Sequence, residues 1–99
     1  MNLGESIKSL RKRKNISQGE LALSCKITQA YLSQIENNRK EPNLATLKTI
    51  SKELDVPLPI IFYTAMSEED IPDSKKEAFG MINPSLNNLI SSIFLSETT

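Results

Sequence analysis

Apolar residues recur along this chain every three or four positions, the spacing that lines one face of a helix. Leu3, Ile7 and Leu10 open the pattern and predict a first helix over about Leu3–Lys14. Ser17-Gln18-Gly19-Glu20 then reads as a capping box, with the Ser17 hydroxyl set against the Glu20 amide and the Glu20 carboxylate against the Ser17 amide. Leu21, Ala22 and Cys25 fall on one face of the short helix that follows. Lys26-Ile27 leaves room only for a tight turn, and Thr28 is a second N-cap candidate. From about Thr28 to Asn37, Leu32 and Ile35 with Tyr31 form an inward stripe, and Gln29, Ala30, Ser33, Gln34 and Asn37 point outward. Asn37-Asn38 ends that helix, because Asn accepts the left-handed cap conformation. Asn43, after Pro42, caps a fourth helix with Leu44, Leu47, Ile50, Ser51 and Leu54 facing inward and Asp55 at its end. Pro57 restarts the chain as a short fifth helix or turn, with Leu58, Ile61 and Phe62 closing the core. The pattern predicts an all-α domain of five helices over residues 1–62.

Past Phe62 the pattern changes. Ser67-Glu68-Glu69-Asp70 is acidic, Pro72 stops any helix begun before it, and Ser74–Phe79 allows one or two turns. Asn83-Pro84 reads as an N-cap followed by proline at the first helical position. Leu86, Leu89, Ile90, Ile93 and Phe94 then give a full amphipathic stripe. Residues 63–99 are therefore an acidic linker plus a helical tail, which must bury its apolar face on its own domain, on a second copy, or on another protein. Leu23 lies off the buried face of its helix and is a candidate contact for that tail.

Charge separates the same two halves. Lys and Arg match Asp and Glu over the whole chain, but residues 1–62 hold ten basic side chains against six acidic ones. The net +4 of that half suits phosphates, and the tail carries the compensating −4. The single cysteine and the lack of histidine leave no transition-metal site and no Ser/His or Cys/His nucleophile pair. With no glycine-rich phosphate loop, nothing points to an enzyme, a metal or a cofactor. No apolar run approaches twenty residues, so no membrane partner and a cytoplasmic location are expected.

Two short helices, a tight turn and an outer face of amides describe a helix-turn-helix. The strings S-Q-x-E-L-A, I-T-Q-x-Y-L-S-Q-I-E-N and E-P-N-L-x-T-L resemble the Xre family, the Cro and phage-repressor type, over roughly Leu3 to Phe62. The resemblance implies a lambda-repressor-like five-helix domain binding double-stranded DNA as a homodimer; the tail lies outside it, and the C-terminal helical extension rests on the apolar pattern alone. Gln29, Ala30, Ser33 and Gln34 would read bases; Gln and Ala suit an adenine edge and a thymine methyl. Arg13, Lys14, Gln18, Asn37, Arg39 and Lys40 would contact phosphates. Arg11 and Glu36 match a position pair that forms an internal salt bridge in phage repressors. Outside the resemblance, the apolar stripe of the tail makes Leu86, Leu89, Ile90, Ile93 and Phe94 the candidates for dimerisation. Lys26 departs from the family, which commonly places Gly there, and at positive φ it would cost on the order of 1 kcal/mol. The function implied is a sequence-specific transcriptional repressor on a pseudo-palindromic operator. The alternative is an antitoxin-like or adaptor protein whose tail grips a protein partner.

Overall fold

A computed structural model describes residues 1–95. Six α-helices follow in order: α1 Leu3–Arg13, α2 Gln18–Cys25, α3 Gln29–Glu36, α4 Leu44–Leu54, α5 Leu58–Ala65 and α6 Lys76–Phe94. Their starts obey the side-chain caps. Asn2, Ser17, Thr28 and Asn43 each accept a backbone N–H three residues on, at 2.8–3.0 Å. Ser17 and Glu20 complete the reciprocal box, with Ser17 N–H donating to Glu20 Oε1 at 3.0 Å. That backbone donor holds the Glu20 carboxyl below the usual carboxylate range.

The ends of α1 to α4 share one solution. Asn15, Lys26, Asn38 and Asp55 all adopt the left-handed conformation, with φ of 56–59°. After each, the next N–H reaches back five residues: Ile16 to Arg11, Ile27 to Ala22, Arg39 to Gln34 and Val56 to Ser51. This is the Schellman closure, and three of its four apical residues are the Asn or Asp that tolerate it. Lys26 is the exception, at φ 58° with no side-chain device to favour that conformation.

Ile7, Leu10, Leu21, Ala22, Cys25, Leu32, Ile35, Leu47, Ile50, Leu54, Val56 and Ile61 pack into one core between the first five helices. Leu44 is corrected: as the first residue of α4 it lies ahead of the turn that meets the core and is 56% exposed.

The tail departs further from expectation. It does not begin a helix at Asn83; α6 runs unbroken from Lys76 through Pro84. Proline forfeits the bond to the carbonyl four residues back, but Pro84 and Gly80 are both exposed, so water can satisfy the freed carbonyl. Asn83 caps nothing; it accepts from the Tyr63 hydroxyl instead. Ile90 and Leu95 are buried in the domain's own core, and Phe94 packs against it. Of the five residues expected at a dimer interface, Ile90 is thus buried within its own domain and Phe94 is half-buried against it. Leu23 is 80% exposed, so the tail does not cover it. Among the described residues no helix is long and apolar enough to cross a membrane.

Candidate nucleic-acid interface

The outward side of α3 is built from the inside. Arg11 on α1 reaches across to Glu36 at the end of α3, its Nε 2.8 Å from Oε2 and its Nη2 3.0 Å from Oε1. Its third donor, Nη1, meets the Ile16 carbonyl at 2.9 Å. Both side chains are buried, so this fork is the interior clip that fixes α3 against α1. The pair expected from the resemblance is thus present, and it continues outward. Gln18 Nε2 donates to Glu36 Oε1 at 3.1 Å, and Gln29 Nε2 donates to Gln18 Oε1 at 3.4 Å. A polar chain therefore runs from the buried guanidinium, through the first residue of α2, to the first residue of α3. The Gln18–Glu36 bond is invisible in the sequence, because nothing at a spacing of eighteen residues signals it.

On the surface of α3, Gln29, Ala30 and Asn37 are exposed, and Ser33 and Gln34 are half-buried. Asn37 Nδ2 lies 3.4 Å from Ser33 Oγ. The four base-readout candidates thus share one helix face, edged by Gln18 at one end and by Asn37, Arg39 and Lys40 at the other. Arg39 and Lys40 are exposed, and both their N–H groups donate to the Gln34 carbonyl, at 2.8 and 3.2 Å. Lys40 Nζ also sits 6.0 Å from the Tyr31 ring centroid, within reach of cation–π attraction.

The remaining two phosphate candidates stand apart from this edge. Arg13 Nη2 donates to Ser91 Oγ on α6 at 3.1 Å, and Lys14 Nζ donates to the Asp55 carbonyl at 3.3 Å. The basic run at the end of α1 therefore splits: Arg11 goes into the core, Arg13 to the tail, and Lys14 to the end of α4. No group of His, Cys, Asp and Glu able to hold a metal occurs among the described residues. What this face offers is hydrogen-bond pairs of the amide type, one methyl, and cations at the rim. Such a set suits base edges in a major groove and the phosphates beside it.

Residues 7–61 match the helix-turn-helix family HTH_3. The immunity repressor protein of Bacillus phage phi105 is 32% identical over 79 residues, covering 78% of this chain and 55% of that protein. The chain thus spans about half the length of that relative. The HTH-type transcriptional regulator SinR of Bacillus licheniformis is 33% identical over 89 residues, covering 89% of this chain and 73% of the regulator. Among solved structures, the clp gene regulator ClgR from C. glutamicum superposes with a TM-score of 0.63 at 28% identity, covering 65% of this chain and 83% of that one. The chain belongs to the helix-turn-helix family, in its Xre-type form, with α2 and α3 as the motif.

Proposed function

We propose that this protein is a sequence-specific DNA-binding transcriptional regulator that represses by occupying a pseudo-palindromic operator as a homodimer. The observation that carries the reading is the face of α3, where Gln29, Ala30, Ser33 and Gln34 lie together and the rim is Gln18, Asn37, Arg39 and Lys40. Helix α3 enters the major groove, the glutamine amides pair with adenine edges, and the rim holds the backbone. The relatives named as repressor and regulator favour the same function.

A two-fold partner would be supplied by α6. Ile82, Leu86, Leu89 and Ile93 fall at i, i+4, i+7 and i+11, and Ile82, Leu89 and Ile93 are 55–65% exposed. From Ala78 to Leu95 the helix carries no charged side chain, so pairing it with its own copy sets no like charges against each other. The dimer face therefore shifts from the full apolar stripe to the half that the domain leaves uncovered. Symmetry would place two copies of α3 about one helical turn of DNA apart, roughly 34 Å.

Leu89→Glu with Ile93→Glu tests this in sedimentation and in anisotropy on one and two half-sites. The wild type should sediment as a dimer and prefer two half-sites. The double variant should be a folded monomer that binds single half-sites weakly. Unchanged sedimentation of the double variant would contradict the assignment. A wild-type monomer that binds DNA would instead give the stripe to another protein, as in an antitoxin or adaptor.

A further inference from the structure

The loop that carries Arg39 and Lys40 leaves α3 through Asn38, and Asn38 is gripped from across the molecule. Its Oδ1 accepts the Gly4 N–H at 3.0 Å, and its Nδ2 donates to Asn2 Oδ1 at 2.7 Å. Asn2 is at the same time the N-cap of α1, accepting the Glu5 N–H at 3.0 Å. Gly4 lies in the first turn of α1, where backbone N–H groups have no partner within the helix. The Asn38 side chain thus satisfies a donor that α1 leaves open.

The approach is backbone to backbone. A Cβ on Gly4 would stand 2.4 Å from the Ile35 carbonyl oxygen, and 2.7 Å from both the Glu36 carbonyl oxygen and Asn38 Oδ1. Two of those three atoms are main chain and cannot rotate aside, so only glycine lets α1 come this near to the end of α3. Asn38 adopts φ 59° there, and its own N–H closes on the Ile35 carbonyl at 3.1 Å. A left-handed cap needs no side chain, and glycine would serve it as well. The Asn38 amide is therefore spent on something other than ending the helix.

We propose that Asn38 is a positioning residue for DNA binding, whose side chain fixes the Arg39–Lys40 loop to the start of α1. The proposal rests on the DNA-binding reading of the preceding section. Arg39 and Lys40 are exposed and long, so ordering them on a phosphate costs conformational entropy. A fixed backbone beneath them reduces that cost. The Arg11–Glu36 fork holds the same end of α3 from the interior, and the Asn2–Gly4–Asn38 cluster holds it from the surface. At the start of α3 the first residue's side chain, Gln29, reaches a neighbouring helix through the longer 3.4 Å contact to Gln18. The end of α3 from which the Arg39–Lys40 loop departs is thus anchored twice.

Asn38→Gly keeps the left-handed backbone and removes both side-chain bonds, so it separates positioning from folding. On a duplex recovered by selection from a random DNA pool, it should bind about fivefold more weakly, the ordering cost of one long side chain. Its salt slope should also be shallower by about one. The same substitution in an Arg39→Ala/Lys40→Ala background should cause no further loss, because the groups it positions are gone. Asn2→Ser keeps a capping oxygen for Glu5 but withdraws the acceptor from Asn38, and it should follow the same pattern. Equal losses in both backgrounds would make Asn38 merely structural and overturn the proposal, as would an Asn38→Gly protein with wild-type affinity and slope. The wild type is measured first, and its failure to bind any duplex would sink the functional reading itself and the proposal with it.

Discussion

Glu36→Ala is the substitution whose cost is set most directly by the structure. It removes the partner of a guanidinium whose side chain is 8% exposed. Arg11 would keep its bond to the Ile16 carbonyl but lose both bonds to carboxylate oxygens. Breaking one half of a buried pair leaves the other charge poorly solvated, at a cost of about 3–5 kcal/mol. In a domain this small about 1 kcal/mol shifts the melting temperature by roughly 4–8 °C, so a fall of at least about 12 °C is expected. Gln18 loses its acceptor as well, so the polar chain to Gln29 is cut at its root. The paired change Arg11→Met/Glu36→Leu removes both charges together and should return stability to within about 1 kcal/mol of wild type. Urea denaturation followed by circular dichroism measures both. A Glu36→Ala loss below about 1 kcal/mol would refute the reasoning, since Arg11 would then have found water.

Three smaller tests follow. Lys26→Gly relieves a lysine held at φ 58° and should leave the unfolding free energy in urea level or raise it by up to about 1 kcal/mol, despite the added freedom of the unfolded chain; a clear loss would contradict the strain. Gly4→Ala drives a methyl group into the Ile35 carbonyl and should cost at least about 2 kcal/mol in the same assay, whereas an unchanged midpoint would mean that α1 can slide away. Burial, with Glu53 adding to it, holds the Cys25 thiol above its ordinary value of 9.0. The folded state therefore keeps this proton more tightly than the unfolded one, and the associated stability is intact below that value and lost as pH rises through the folded pKa. Cys25→Ala should flatten that alkaline fall, and an equally steep fall in the variant would remove Cys25 as its cause.

The domain was legible in the sequence wherever structure is decided locally. A capping oxygen three residues before its N–H defines the starts of α2, α3 and α4, and Ser17, Thr28 and Asn43 all sit at those places. The left-handed Lys26 and the Arg11–Glu36 pair were both readable from the family pattern. Long-range features were not readable. The Asn2–Gly4–Asn38 cluster joins positions 34–36 residues apart, and a glycine near a helix start gives no sign that a carbonyl lies against it. In the tail, Asn-Pro is a frequent helix start, and that local preference lost to the continuous apolar spacing from Phe79 onward. Where the tail's apolar side divides between its own core and solvent depends on tertiary packing, which periodicity alone does not determine.

The central claim is that α3 reads bases, and one measurement meets it directly. Binding sites selected from random DNA would be varied one base pair at a time, and anisotropy recorded for the wild type, Gln29→Ala, Gln34→Ala and Arg39→Ala. Each glutamine substitution should cost about 1–3 kcal/mol on the selected site and abolish the preference at one base pair. Arg39→Ala should weaken every duplex alike and reduce the salt slope by about one. Glutamine variants that keep the wild-type preference at every position would contradict the account, whatever their affinity.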